Sequence, residues 1–490
     1  MRLDELMAGE AAFPGPTLTA GLAGAVTALT ADSRQVVPGT LFAALPGART
    51  DGRAHIAEAV RRGAVAVLAP EGTEWPAGVP VRALLTASDP RRALALMAAR
   101  FHGAQPRTVV AVTGTNGKTS TADFLRQIWA HDGARAASMG TLGLVADGFQ
   151  PGPSLTTPDP VSLHETLAAL ARGGITHAAM EASSHGLEQR RLDGVALAAA
   201  GFSNLTRDHL DYHGTIEGYR AAKLRLFDTL LEPGRPAVAN ADMDAATLAA
   251  IRAIAASRRL RLLTVGEAGA DLWLLRHAPL PDGQEIAIDL FGRREAVHLP
   301  LVGRYQADNV LVAAALAVAT GTEPARVLAA LPHLAGVRGR MELAARLPNG
   351  AAVYVDYAHT PDALERLLLA LRPHAARLHV VFGAGGDRDP GKRPLMGAAC
   401  AALADRVVVT DDNPRSEDPA AIRAAVLAAC PGGVEIGGRE AAIADAMAFL
   451  GPGDVLAVAG KGHESGQTIG GVTHPFDDVA VVRRLAGVAA

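Results

Sequence analysis

Apolar runs and amphipathic stretches alternate along this chain, and the alternation predicts its elements. In the first hundred residues GTLFAAL (39–45) and AVAVLA (64–69) are apolar runs, whereas AHIAEAVRRG (54–63) and DPRRALALMAARFHG (89–103) space apolar residues three and four apart. The runs predict strands and the spaced stretches helices, the second opening on an Asp-Pro pair that suits a helix start. From Thr108 strand, loop and helix repeat. TVVAVTG (108–114) leads into a helix, KTSTADFLRQIWAHDG (118–133). THAAMEAS (176–183) and VALAAAGFSNL (195–205) predict strands, TIEGYRAAKLRLFDTLL (215–231) a helix, and RPAVANADM (235–243) follows. NVLVAAALAVATG (309–321) is the longest greasy stretch. It is shorter than the roughly 20 residues a bilayer crossing takes and predicts a buried helix. AAVYVDYAH (351–359), RLHVVFGAGG (377–386), DRVVVTDDNPR (405–415) and DVLAVAGKGHE (454–464) predict four more strands, with helices such as PDALERLLLALRP (361–373) between them.

Buried strands beside helical stretches predict an α/β fold with mostly parallel sheets covered on both faces. At about 150 residues per domain, 490 residues predict three domains. GAQPRT (103–108) and TEPARVLAALPHLAGVRGRME (322–342) mark the breaks, giving 1–103, 104–335 and 336–490, a small α/β unit, a central parallel-sheet unit and a Rossmann-like α/β unit. The four strands of the last unit each end in a polar, glycine-bearing or charged cluster. Ligands bind beyond the carboxyl ends of such strands, so these ends predict a crevice, the competing reading being plain glycine-rich turns.

Charge and composition narrow the classes. Lys and Arg total 47 and Asp and Glu 50, a net charge of -3, which argues against a general nucleic-acid binder. Cys400 and Cys430 sit in alanine-rich apolar segments and read as buried thiols, so nothing calls for an oxidising compartment. The opening MRLDELMAGEAAFPGPTL carries acids early and no long apolar run, unlike a signal peptide. A soluble, cytoplasmic protein that is not membrane-embedded is expected.

The chemistry begins at VVAVTGTNGKTSTADFL (109–125). The full phosphate-loop pattern needs a glycine where this chain has Val112. Gly114, Thr115, Asn116, Gly117, Lys118, Thr119 and Ser120 keep the mechanics. Two glycines let the backbone curl, the helix start favours an anion, Lys118 reaches a terminal phosphate, and the Thr119 hydroxyl joins a Mg²⁺ shell. Strand before and helix after favour an ATP loop over a chance glycine turn. Downstream, MEASSHGLEQRRL (180–192) puts Glu181 at a strand end, followed by Ser183, Ser184 and His185. NLTRDHLDYHG (204–214) holds His209, Asp211 and His213, which read as metal-site residues or as a hydrogen-bonded helix-start cluster. Lys223, beside Leu224, Leu226 and Phe227, reads on spacing alone as solvent-facing. Arg388, Asp412, Asn413, Arg415 and Glu464 carry the mixed charges that suit a zwitterionic amino acid, unless the arginines form a solvated face.

Taken together, the ordered segments ADSRQVVPGTLFAALPGARTDGRAHI, TGTNGKTS, TTPD, MEASSHGL, NLTRDHLDYHG, YRAAK, GRME, DYAHTPDAL, GGDRDPGKRPLM, TDDNPRSE and AGKGHE closely resemble those of the Mur ligases, the ATP-dependent amide-forming enzymes of peptidoglycan synthesis. The resemblance covers nearly the whole chain and is strongest to the branch that adds meso-2,6-diaminopimelate. It implies a three-domain protein with a P-loop ATPase-like centre, with ATP as co-substrate, Mg²⁺ as cofactor, and a UDP-muramoyl dipeptide and diaminopimelate as the other small-molecule partners; a monomer is expected. It implies that Ser33, with the GARTDG loop near it, and Thr156, Thr157, Ser183, Gln189 and Arg191 contact the UDP substrate, and that Gly114 to Ser120 with Asn309, Arg340 and Asp356 serve the nucleotide. Thr119, Glu181 and His209 are implied metal ligands, with Lys223 as a carbamate; Lys118, His209 and Lys223 are implied catalytic groups. Arg388, Asp412, Asn413, Pro414, Arg415, Gly460 and Glu464 are implied to hold diaminopimelate, Arg415 as a buried guanidinium against the far carboxylate that lysine lacks. Gln306, in GRYQADN, departs from the His or Phe usual there. A lysine-adding relative, a folylpolyglutamate synthetase-like enzyme and a non-catalytic nucleotide-binding scaffold are the alternatives.

Overall fold

The computed structural model describes residues 1–8, 16–18, 25–47, 50–150, 155–280 and 283–488. Three sheets carry the architecture. The first runs Pro16–Leu18, Ala83–Ala87, Ala66–Pro70, Thr40–Ala43, Ala28–Thr30 and is parallel except at its first pair. Pro90–His102 packs on it through buried Leu94 and Met97, with Asp89 capping its start from the predicted Asp-Pro. Residues 48 and 49 of the GARTDG loop lie outside the described residues.

The second sheet has ten strands, with Thr108–Thr113 between His177–Glu181 and Leu197–Phe202 near its middle. Ala136–Gly140, His177–Glu181, Thr108–Thr113, Leu197–Phe202, Pro236–Asn240 and Arg261–Gly266 are mutually parallel. Helices cover both faces, Lys118–His131 and the buried Arg304–Ala319 on one and Pro160–Arg172 and Ala245–Arg258 on the other; Arg304–Ala319 is the predicted greasy helix. The sequence reading passed over the other edge. Leu272–Leu280, Gly283–Leu290 and Arg293–Leu299 add an antiparallel meander. Its signal was a period of two: Leu272 and Leu274, Ile286, Ile288 and Leu290, Val297 and Leu299 face the core in alternation.

The third sheet runs Glu342–Arg346, Ala352–Asp356, Val455–Ala459, Leu378–Phe382, Arg406–Val409, Val434–Glu435. All pairs but the first are parallel, and the four predicted strands are its centre. Their carboxyl ends lie together, joined by a separate Gly466–Ile469/Val472–Pro475 hairpin. Cys400 and Cys430 are buried free thiols, as expected. Among the described residues no helix is long and apolar enough to cross a membrane.

Candidate active site

Val112 is still strand, paired with Glu181, and its carbonyl accepts from the Ala182 amide. The turn therefore starts two residues later than in the full phosphate-loop pattern, which is why no glycine is needed there. Gly114 has φ 145° and a Cβ there would lie 2.0 Å from Ser203 Oγ; Gly117 has φ 85° and its Cβ would lie 2.1 Å from Asn309 Oδ1. Both positions exclude side chains. The loop is braced from the next strand end: the Asn116 amide donates to Asn204 Oδ1 at 3.0 Å, and the Asn116 carbonyl accepts from Ser203 Oγ at 2.6 Å and Asn204 Nδ2 at 3.1 Å. Ser203 and Asn204 were absent from the predicted site; their position one step past a parallel strand beside the loop was the available signal.

Lys118 Nζ donates to its own loop carbonyls, Gly114 O at 3.0 Å and Thr115 O at 2.9 Å. Burial lowers its pKa, opposed by the charges of Glu181 and Asp208. Thr119 Oγ1 donates to Glu181 Oε1 at 2.9 Å, and the same carboxylate accepts from the Thr141 amide and hydroxyl. Ser120 is buried in the first helical turn. Lys223 corrects the reading from spacing: it is 1% exposed, donates to Gly114 O at 2.7 Å and lies 4.5 Å from the Tyr219 ring. Burial first, and Lys118 second, push its pKa well below the ordinary lysine value. His209 sits at φ 52° before the short Leu210–His213 helix, its ring against His185 and Tyr219. Burial lowers its pKa, with Asp208 opposing. Among the described residues no three His, Cys, Asp or Glu side chains form a ready-made metal cluster.

Beside this loop, Thr156 Oγ1 meets Thr141 Oγ1 at 3.2 Å. Thr157 is fully buried; its hydroxyl donates to Glu181 O and accepts from the Ser183 amide and hydroxyl. Its side chain thus supports the Glu181–Ser183 backbone. Arg191 donates to Thr157 O at 2.6 Å and to Gln189 Oε1 at 2.8 Å, and Gln189 donates to Tyr212. Ser33 lies in the first unit, donating to Glu58 at 3.2 Å.

The third unit closes the other side. Arg340 Nη2 reaches Thr119 Oγ1 at 3.5 Å while its guanidinium stacks 4.5 Å from the Tyr357 ring. Asp356 accepts from the Met341 and Ala358 amides, and burial raises its pKa against the pull of Arg340. Asn309 Nδ2 donates to Gln306 Oε1, and Gln306 Nε2 reaches Arg340 O, so Gln306 links Asn309, which packs on Gly117 of the loop, to the third unit. Asp362, another residue the sequence reading left out, accepts from Asn116 Nδ2 and Thr206 Oγ1, both at 3.3 Å.

At the strand ends of the third sheet, Asn413, Glu464 and Lys461 form one cluster with Asp412 and Gly460 beside it. Gly460 has φ 118°, and a Cβ there would fall 2.5 Å from Asp412 Oδ2. Arg415 is half-buried rather than buried: it stands at a loop, φ 55°, and donates Nη1 to Gly386 O at 2.7 Å. Pro414 is buried, its carbonyl against Gly386, where a Cβ would lie 1.9 Å away. Arg388 is exposed on the facing loop, which Ser416 and Glu417 tie down through Asp387. Glu417 is in turn held by buried Arg393.

The sequence matches three family descriptions in chain order: "Mur ligase family, catalytic domain" over residues 25–102, "Mur ligase middle domain" over 112–317, and "Mur ligase, glutamate ligase domain" over 339–462. The chain belongs to the Mur ligase family. This Mur ligase is 56% identical to the UDP-N-acetylmuramoyl-L-alanyl-D-glutamate--2,6-diaminopimelate ligase of Caulobacter vibrioides, over 95% of this chain and 96% of that one. It is 54% identical to the protein of the same name from Rhizobium meliloti, over 96% and 97%. A solved structure of a ligase of that name superposes with a TM-score of 0.68 at 36% identity, covering 94% of each chain. The Thermotoga maritima MurF ligase in complex with ADP shares the fold, TM-score 0.65 at 18% identity. A Mycobacterium tuberculosis folylpolyglutamate synthase, TM-score 0.63 at 20% identity, covers 76% of this Mur ligase.

Proposed function

We propose that this chain joins 2,6-diaminopimelate to UDP-N-acetylmuramoyl-L-alanyl-D-glutamate in an ATP-dependent reaction. The observation that carries the reading is the braced glycine loop beside the Thr119–Glu181 pair, together with the polar cluster of Asn413, Lys461 and Glu464 and the half-buried Arg415 at the strand ends of the third sheet.

A carboxylate and a triphosphate repel one another, so the site must supply positive charge before they meet. Lys118 leaves its loop carbonyls for the phosphates, and the helix N-terminus adds its amides. The D-glutamyl carboxylate oxygen attacks the γ-phosphorus; the P–O bond to ADP breaks and an acyl phosphate forms. The diaminopimelate amine then attacks the acyl carbon, losing a proton as inorganic phosphate departs and the amide forms. Thr119 and Glu181 fit a magnesium ion, a hard cation that takes oxygen ligands and accepts phosphate oxygens and water for the rest, and when bound it supplies charge neutralisation to the phosphates. His209, on the same side, is the further ligand we assign. Burial lowers the pKa of Lys223 and so favours its unprotonated amine, the form that adds to carbon dioxide: an N–C bond forms, a proton leaves, and a carbamate oxygen donor replaces the amine. Asn309, Arg340 and Asp356 flank the nucleotide; Ser33, Thr156, Ser183, Gln189 and Arg191 flank the UDP substrate, with Thr157 supporting the Glu181–Ser183 backbone. Closure of the third unit around Arg340 and Asp362 shields the acyl phosphate from water.

The test supplies the purified protein with ATP, Mg²⁺, the UDP-dipeptide and diaminopimelate, and follows phosphate release and product mass. The UDP-tripeptide and stoichiometric phosphate are expected only when all components are present. Phosphate release that ignores the amino acid would overturn the reading in favour of a simple ATPase or scaffold.

A further inference from the structure

The amino-acid subsite rests on a lysine that no residue assignment above uses. Lys461 follows Gly460 at the end of the Val455–Ala459 strand and is fully buried. Its Nζ donates to Asn413 Oδ1 at 3.1 Å and to Glu464 Oε2 at 3.1 Å, the latter an ion pair. Asn413 Oδ1 also accepts from the Thr468 amide at 2.9 Å, and Asn413 Nδ2 donates to the same Glu464 Oε2 at 2.9 Å.

An asparagine amide has two near-isosteric orientations, and its partners decide between them. Here two donors converge on one end and a carboxylate faces the other, so only one orientation is satisfied. With Lys461 in place, Asn413 keeps one Nδ2 hydrogen for a ligand and Glu464 keeps Oε1, which accepts no hydrogen bond among the described residues. The subsite thereby offers a donor at Asn413 and an acceptor at Glu464. A zwitterion fits with its carboxylate on the first and its ammonium on the second.

We propose that Lys461 is a positioning residue that sets this polarity: it fixes the Asn413 amide and one Glu464 oxygen so that the amino-acid substrate binds in a single direction. The proposal rests on the reading of this cluster as the amino-acid subsite. Without Lys461 the Asn413 amide loses one of the three bonds that orient it, and Glu464 Oε2 loses its charged partner and is held by Asn413 Nδ2 alone.

The test compares wild type, Lys461→Met, Lys461→Gln and Glu464→Gln, with KM read separately for diaminopimelate, ATP and the UDP-dipeptide. Losing a buried charge-assisted hydrogen bond corresponds to about a tenfold or larger effect. Lys461→Met is therefore expected to raise the diaminopimelate KM about tenfold or more, leaving the other two KM values within about twofold. Lys461→Gln, which keeps an N–H donor, should recover part of the loss. Combining Lys461→Met with Glu464→Gln should cost less than the two single losses multiplied, because both act on one group. An unchanged diaminopimelate KM, a uniform rise in all three, or loss of the fold in both Lys461 variants would overturn the proposal and leave Lys461 as scaffold. Failure of the wild-type protein to use diaminopimelate would instead overturn the assigned reaction.

Discussion

Single residues carry the charge balance. Lys118→Ala removes the cation nearest the loop, and turnover should fall about 10²–10³-fold by steady-state phosphate release; a variant that retains full speed would remove Lys118 from the chemistry. Lys223 gives a different readout. Burial lowers the pKa of the Lys223 amine, so its unprotonated, carbamylation-competent form persists to lower pH than an exposed lysine's, and the carbamate is lost as the pH falls further and the amine protonates. The ¹³C-bicarbonate-treated protein should give a carbamate resonance that Lys223→Arg lacks, and its absence in both would refute the modification. Thr157 is instructive at this scale too. Its motif drew it into the predicted substrate contacts, yet its hydroxyl is spent on Glu181 O and Ser183. The motif places Thr157 beside the predicted contacts, and its saturated hydroxyl makes it a support for the Glu181–Ser183 backbone.

At the level of elements, the loop between the Thr108–Thr113 strand and the Lys118–His131 helix works because nothing protrudes from it. Gly117→Ala would force a Cβ to 2.1 Å from Asn309 Oδ1 at φ 85°, so Asn309 must move or the loop must open. The strain is about 1–3 kcal/mol. Nucleotide affinity measured by titration calorimetry should drop by about tenfold or more, and an unaltered affinity would mean the loop is not where ATP sits. The parallel strands, their helices and the glycine loop were legible in the sequence because each is local: an apolar run, a 3.6-residue period, a cap. The meander at 272–299 was less legible because half its positions face solvent and the alternation is broken by register shifts at Leu274 to Arg276. Lys223 was misread from spacing because its burial depends on a loop 109 residues away in sequence. Ser203, Asn204 and Asp362 were missed for the same reason, being partners of the loop through space alone.

For the whole molecule, the joints between units are where pH should act on stability. His164 is buried on the Pro160–Arg172 helix, close to the Pro90–His102 helix of the first unit, and its Nε2 meets Asp193 O at 3.0 Å. Burial lowers its pKa from 6.5 to about 4. The unfolded chain therefore takes a proton near pH 6.5 that the folded chain refuses until about pH 4. Stability is full above the unfolded value and falls across that window by ~3 kcal/mol. Urea unfolding at pH 7 and pH 5 should show a larger loss for the wild type than for His164→Gln; equal losses would assign the acid sensitivity elsewhere. Asp362 ties the third unit to the loop of the second, so Asp362→Ala should raise the KM for ATP while the fold melts at an unchanged temperature. These contacts gather three units around one reaction, and its most discriminating feature is the amino acid chosen. We propose that Arg415 receives the far carboxylate, a group that diaminopimelate has and lysine lacks. The decisive measurement is kcat/KM for diaminopimelate and for lysine with the same protein, ATP, Mg²⁺ and UDP-dipeptide. A preference for diaminopimelate of about 10²-fold or more is predicted, collapsing in Arg415→Met; equal use of the two amino acids by the wild-type protein would contradict the account.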